Sequence, residues 1–82
     1  MDRNDLKNRL DELNVYPGFY SLEGEPLPDR IVLYQNYAKW EVFYFDERGN
    51  RDKEKIFFSE SDACEYIYEY FKKQKEIESK YQ

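Results

Sequence analysis

The sequence predicts an α+β fold: a short N-terminal helix, a three- to four-stranded antiparallel β meander, and a longer C-terminal helix packed on the sheet. Three observations carry that expectation. The chain opens on leucines at helical spacing. Its β-rich runs cluster in the middle instead of alternating with helices. Its last third places apolar residues at helical spacing between charges of ordered sign.

Residues 4–14, NDLKNRLDELN, carry Leu6, Leu10 and Leu13 on one stripe. That stripe predicts a short amphipathic helix, with Asn4 as its cap and Pro17-Gly18 as its stop. So short a helix must dock on something to be stable. Phe19 to Leu22 is a candidate short strand. GEPLPD, residues 24–29, is a loop, because Pro26 and Pro28 have no N–H to give to a ladder. Two strands follow, Arg30–Tyr37 and Lys39–Asp46, joined by a tight connection marked by Asn36 and Ala38. A third, shorter run covers Lys55–Phe58. Arg48-Gly49-Asn50 lies between the last two and predicts a hairpin, with Gly49 free to take a positive φ.

Ser59 starts the final helix, and Asp62 stands where a capping box would place Glu. Glu60, Asp62, Glu65 and Glu69 precede Lys72, Lys73 and Lys75, the order the helix dipole favours. Cys64, Ile67, Tyr68 and Phe71 form the buried stripe, with Tyr66 and Tyr70 beside it. The polar tail, about residues 75–82, is expected to fray. One domain should span residues 1–82.

The long strand sorts its side chains into two sets. Trp40, Val42 and Tyr44 point one way; Glu41, Phe43, Phe45 and Glu47 point the other. Neither set is polar, although antiparallel sheets usually wet one face. The expected arrangement sets the C-terminal helix on one face and the N-terminal helix and loop on part of the other. The alternative sets both helices on one face and leaves aromatic rings open to a partner.

Composition bounds the chemistry. Aromatic residues make up 20% of the chain, enough rings to support a thin core despite 38% charged residues. That richness also argues against disorder. The net charge of −5 argues against binding a phosphate backbone and favours a basic protein partner. Arg48, Arg51, Lys53 and Lys55 lie beside aromatics, but Asp46, Glu47, Asp52 and Glu54 interleave and cancel their field. A single Cys excludes an internal disulfide, and with no His it argues against a structural zinc site. No metal or cofactor is expected. The charged opening MDRNDLKNRL lacks the apolar segment of a signal peptide, and no apolar run nears the roughly 20 residues a membrane span needs. A soluble, cytoplasmic protein is expected.

Catalytic readings find little support. No His is available as a general base. Cys64 lies on the apolar stripe of the helix, where a thiol is expected to be buried. Asp46 and Glu47 are adjacent on a strand and point apart, while Glu41 and Glu47 share a face at too great a separation. The protein is therefore not expected to be an enzyme.

Three stretches bear on function. They are YSL at 20–22 with the proline-rich loop after it, RIVLYQNYAKWEVFYFDERG at 30–49, and FFSESDACEYIYEYF at 57–71. Within the second, Trp40, Glu41, Val42, Tyr44, Glu47, Arg48 and Gly49 carry the pattern. Within the third, Phe58, Ser59, Glu60, Ala63, Cys64 and Tyr66 do. Together they resemble the small immunity proteins of bacterial polymorphic toxin systems. The resemblance spans roughly residues 19–71 and implies a non-enzymatic antidote that binds and occludes one cognate toxin domain. It carries over no individual contact residues.

The residues expected to meet the partner are Tyr37, Trp40, Tyr44, Asp46, Glu47, Arg48, Arg51 and Glu54. Tyr37 and Tyr44 would anchor, and Asp46, Glu47 and Glu54 would steer toward a basic toxin cleft. A protein-interaction adaptor or a homodimer, built through the aromatic sheet face, is the alternative.

Overall fold

The computed structural model describes residues 1–80, with side-chain placement through residue 78. The order is helix α1 (Arg3–Glu12), a 3-10 turn (Pro17–Phe19), strands β1 (Tyr20–Ser21), β2 (Arg30–Asn36), β3 (Lys39–Phe45) and β4 (Arg51–Phe57), and helix α2 (Glu60–Lys80). The strands form one sheet in the order β1-β2-β3-β4. The expected α+β fold is therefore present, with the meander β2-β3-β4 antiparallel throughout and β1 added parallel to β2.

The ends of α1 differ from the expectation at both caps. Asp2, not Asn4, is the N-cap. Its carboxylate accepts from the Asp5 N–H at 2.8 Å, and the Asp5 carboxylate accepts from the Asp2 N–H at 3.4 Å. The stop comes before Pro17. Asn14 takes a left-handed backbone (φ 59°), its N–H reaches the Asp11 carbonyl at 3.0 Å, and the Val15 N–H reaches the Leu10 carbonyl at 3.0 Å. This is a Schellman closure, and its two apolar members, Leu10 and Val15, are both buried in the core. Asn supplies the left-handed residue, a role more often filled by Gly.

At the start of α2, the Ser59 hydroxyl accepts from the Asp62 N–H at 3.1 Å, as expected of its cap. The helix then runs on to Lys80, past residue 75, where fraying was expected, and Lys75 pairs with Glu78 at 3.6 Å. Residues 81–82 of the expected tail lie outside the described residues.

Both helices lie on one face of the sheet, which corrects the expected arrangement. Leu6 and Leu10 of α1, Ala63, Cys64, Ile67 and Phe71 of α2, and Leu33, Trp40 and Val42 of the sheet form one core with Val15, Tyr20 and Leu22. The reason is the narrowness of the α1 stripe. It cannot cover a sheet face alone, so α1 lies beside α2 and shares its core. The two helix starts are tied together. The Arg3 N–H donates to the Glu60 carboxylate at 2.9 Å, and the N-terminal amine donates to the Ser61 hydroxyl at 3.1 Å.

The far face carries no helix, yet Val32 and Phe43 are fully buried there. Arg51 provides the cover. Its guanidinium lies 4.3 Å from the Phe43 ring centroid and 5.7 Å from that of Tyr34, and it pairs with Glu41 at 3.6 Å. The loop between β1 and β2 also reaches this face. Gly24 lies within ordinary packing distance of the Tyr34 ring and takes φ 84°, a backbone that favours Gly.

One buried group has no partner. The Tyr20 hydroxyl is enclosed without a hydrogen bond to any described residue. Burial raises its pKa, and the charge of Asp11 raises it further. Since an unpaired buried hydroxyl costs more than it returns, Tyr20→Phe should be neutral or stabilising by up to about 1 kcal/mol. Thermal denaturation would register this as an unchanged or higher midpoint. A clear loss of stability would show that the hydroxyl is satisfied in solution.

Candidate functional site: an aromatic groove beside an acidic hairpin

The first half of α2 packs closely on the sheet. Ala63, Cys64 and Ile67 are fully buried, and the Tyr66 ring lies 5.4 Å from that of Phe57. Beyond Phe71 the apolar stripe ends in Lys72, Lys73, Gln74 and Lys75. Ile77, farther along, is 47% exposed and does not pack on the sheet, and this half of α2 borders an open groove of about 350 Å³. Val15, Phe19, Asp29, Ile31 and Tyr44 line one wall; Tyr70, Phe71, Gln74, Lys75 and Glu78 of α2 line the other. A second groove, of about 250 Å³, shares Ile31, Tyr44 and Tyr70 and extends toward Tyr66, Asp52 and Lys53. The two meet at Tyr44.

Tyr44 is held in place by charge. Its hydroxyl donates to the Asp29 carboxylate at 2.9 Å. That hydrogen bond raises the pKa of the phenol most, followed by burial and then by the charges of Asp29, Asp46 and Glu47. Three carboxylates therefore act on one ring at the groove mouth. Asp29 itself stands at φ 59°, a left-handed position that Asp tolerates, and its N–H donates to the Phe45 carbonyl at 2.7 Å. Among the described residues, none of the three carboxylates is in an ion pair.

The chain matches no family model, no curated protein and no solved structure.

The expected partner-binding residues do not form one surface. Tyr44 lines the groove, and Asp46 and Glu47 act on it from the hairpin end of β3. Arg48 is exposed in the turn that follows. Glu54 is exposed on β4, the sheet edge that pairs only with β3. Arg51 is engaged on the far face over Phe43. Trp40 is 9% exposed, sits in the core and carries Arg3 over its ring at 5.8 Å, so it is a folding residue. Tyr37 lies in the β2–β3 turn, at the opposite end of β3 from the acidic hairpin. It is 95% exposed and stands at φ 58°, a backbone more usual for Gly or Asn. Sequence reasoning missed Asp29, Ile31, Tyr70 and Phe19. Only the packing angle of α2 brings them together with Tyr44.

Asp46 also has a structural role. Its carboxylate accepts from the Arg48 N–H at 2.9 Å and the Asn50 N–H at 2.8 Å, while the Gly49 N–H (φ 86°) reaches the Asp46 carbonyl at 3.1 Å. Asp46→Ala should cost about 1–2 kcal/mol through these two backbone bonds, and Asp46→Asn should recover most of it. Urea denaturation of both variants checks this. Equal losses would assign the effect to charge instead of turn geometry.

Cys64 offers no reactive thiol. Burial is the main cause that pushes its pKa up to about 11, so it stays protonated at neutral pH. Among the described residues, no three His, Cys, Asp or Glu side chains are grouped to hold a metal ion, and no helix is long and apolar enough to cross a membrane.

Proposed function

We propose that this protein is a non-enzymatic immunity protein that binds a cognate toxin domain and occludes it in the bacterial cytoplasm. The observation that carries the reading is the open aromatic groove at Tyr44, lined by Asp29, with the charges of Asp46 and Glu47 acting on the same ring. Tyrosine-rich surfaces suit protein partners, because each ring buries apolar area and keeps a polar tip. The acidic flank suits a basic partner, whose approach it would accelerate. The net charge of −5 favours a protein over a nucleic acid as that partner. The pattern of Trp40, Glu41, Val42, Tyr44, Glu47, Arg48 and Gly49 with Phe58, Ser59, Glu60, Ala63, Cys64 and Tyr66 supports the immunity assignment within that class.

Co-expression with the product of the neighbouring gene tests the proposal. The two proteins should co-purify, and cells expressing the neighbour should survive only when this protein is present. A neighbour that is harmless, or that is toxic and not bound, would refute it.

A second reading rests on a different observation. Tyr37 is 95% exposed, Phe58 77% and Ile56 54%. Exposed rings and an exposed aliphatic side chain favour self-association or an adaptor role. Sedimentation equilibrium separates the readings: a stable dimer abolished by Tyr37→Ser and Phe58→Ser would favour the second.

A further inference from the structure

We infer that the groove at Tyr44 receives an arginine or lysine side chain projecting from the docking segment of a protein partner. This rests on the groove being a protein-docking surface, and it specifies what that surface selects. Much of the lining is apolar or aromatic, from Val15, Ile31 and the rings of Phe19, Tyr44, Tyr70 and Phe71, with Gln74 and the Lys75–Glu78 pair on the α2 side. The mouth is acidic, with Asp29 bonded to the Tyr44 hydroxyl and Asp46 and Glu47 close enough to act on the same ring. A long cationic side chain satisfies both parts. Its aliphatic stem lies along apolar surface, and its charged head meets ring faces and carboxylates.

A leucine or phenylalanine would satisfy only the walls. It would also strip water from carboxylates that have no cation among the described residues, which is a net cost. The nearby lysines do not supply that cation. Lys75 lines the groove from the α2 side, where it pairs with Glu78 at 3.6 Å, and Lys53 lines the second groove beside Asp52.

Elsewhere the fold packs cations on four of its rings. Arg3 lies over Trp40, Arg9 over Tyr68, Lys72 over Tyr68, and Arg51 over Phe43 and Tyr34. Among the described residues, the groove rings Phe19, Tyr44, Tyr70 and Phe71 carry none, as is true of several rings elsewhere, but only these stand beside the Asp29 carboxylate in an open groove.

The test uses the full-length chain labelled with ¹⁵N and acetylated, amidated Gly-Gly-X-Gly-Gly peptides, where X is arginine, lysine, leucine or glutamate. The arginine and lysine peptides should shift the amide resonances of Asp29, Ile31, Tyr44 and Tyr70 at millimolar concentration, and less so at high salt. The leucine and glutamate peptides should not. Tyr44→Ala should weaken the arginine peptide about two- to fivefold, the size of an exposed cation–ring contact. Asp29→Asn should weaken it similarly, and Asn keeps the left-handed backbone at that position. Thermal melts confirm that each variant is folded.

Leucine binding as well as arginine, shifts centred elsewhere, or no localised shift with arginine would each overturn the inference. The parent reading fails separately. Arginine-peptide binding without any toxin partner would refute the immunity function and leave the groove assignment standing. Toxin binding unchanged by Tyr44→Ala and Asp29→Asn would do the reverse.

Discussion

Trp40→Ala should destabilise the protein by about 3–5 kcal/mol, the range for removing a large buried ring. At about 0.05–0.15 kcal/mol per residue, a chain of this length has roughly 4–12 kcal/mol in total. The variant should therefore be partly unfolded at room temperature. The size of the loss follows from what Trp40 joins. It packs in the core shared by the sheet, α1 and α2. Arg3 lies over its ring at 5.8 Å, bonded to Glu23 at 3.2 Å and close to Glu60 at 3.9 Å. Removing the ring takes away the platform beneath that cluster as well as its own contacts. Trp40→Phe keeps a ring in the core and should lose much less. Circular dichroism against urea checks both variants. Any loss of partner binding in Trp40→Ala should track the unfolded fraction. A variant that stays folded with binding abolished would return Trp40 to the interface, where the sequence placed it.

Phe43→Ala should cost a similar amount, about 3–5 kcal/mol, although no helix covers Phe43. Its ring is 1% exposed beneath the Arg51 guanidinium and packs at 6.4 Å from Phe45. The guanidinium is itself fixed by Glu41, whose other oxygen accepts from the Asn36 amide at 3.1 Å. Arg51→Ala alone should cost less, because Phe43 would be left in place and wetter. A double-mutant cycle should give a coupling between the two of about 0.5–2 kcal/mol. Arg51→Lys should recover little of it, since an ammonium cannot lie flat over two rings as a guanidinium does. A cost below about 1 kcal/mol for Phe43→Ala would mean that the far face is not a second core but a wet surface with one ring on it.

The two predictions bear on the same sequence reading from opposite sides. Trp40 and Arg51 were both expected to meet a partner. Trp40 packs in the core, and Arg51 lies over Phe43 on the far face. Tyr44 remains available because the α2 residues just after Phe71, Lys72 to Lys75, are polar and Ile77 stays exposed. That stopping point is visible in FKKQK, residues 71–75. What it opens is not, since the opposite wall comes from Val15, Phe19, Asp29 and Ile31, which are scattered along the chain.

Much of the architecture was determined by local sequence. The leucine spacing of α1, the β-rich runs of β2 and β3, Gly49 in its hairpin and the Ser59 start of α2 all follow from rules acting over a few residues. Strand β4 was harder to place, because RDKEKIF carries little apolar pattern and its exposed edge needs charge more than hydrophobicity. The decisive detail there is a single extra residue. Val42 faces Lys55, yet Tyr44 faces Asp52, so Lys53 and Glu54 together oppose Phe43, with Lys53 at φ 55°. Opposed residues share a face, and a one-residue slip exchanges the faces. The bulge therefore pairs Arg51 with Phe45 and turns it onto the far side, over Phe43. Without it, Arg51 would point to the helix face and Phe43 would lie open. The sequence by itself determined which segments become strands and helices. Only the tertiary structure decided which face each ring serves, because a face is set by register across the sheet, and register depends on pairing partners that no local pattern records.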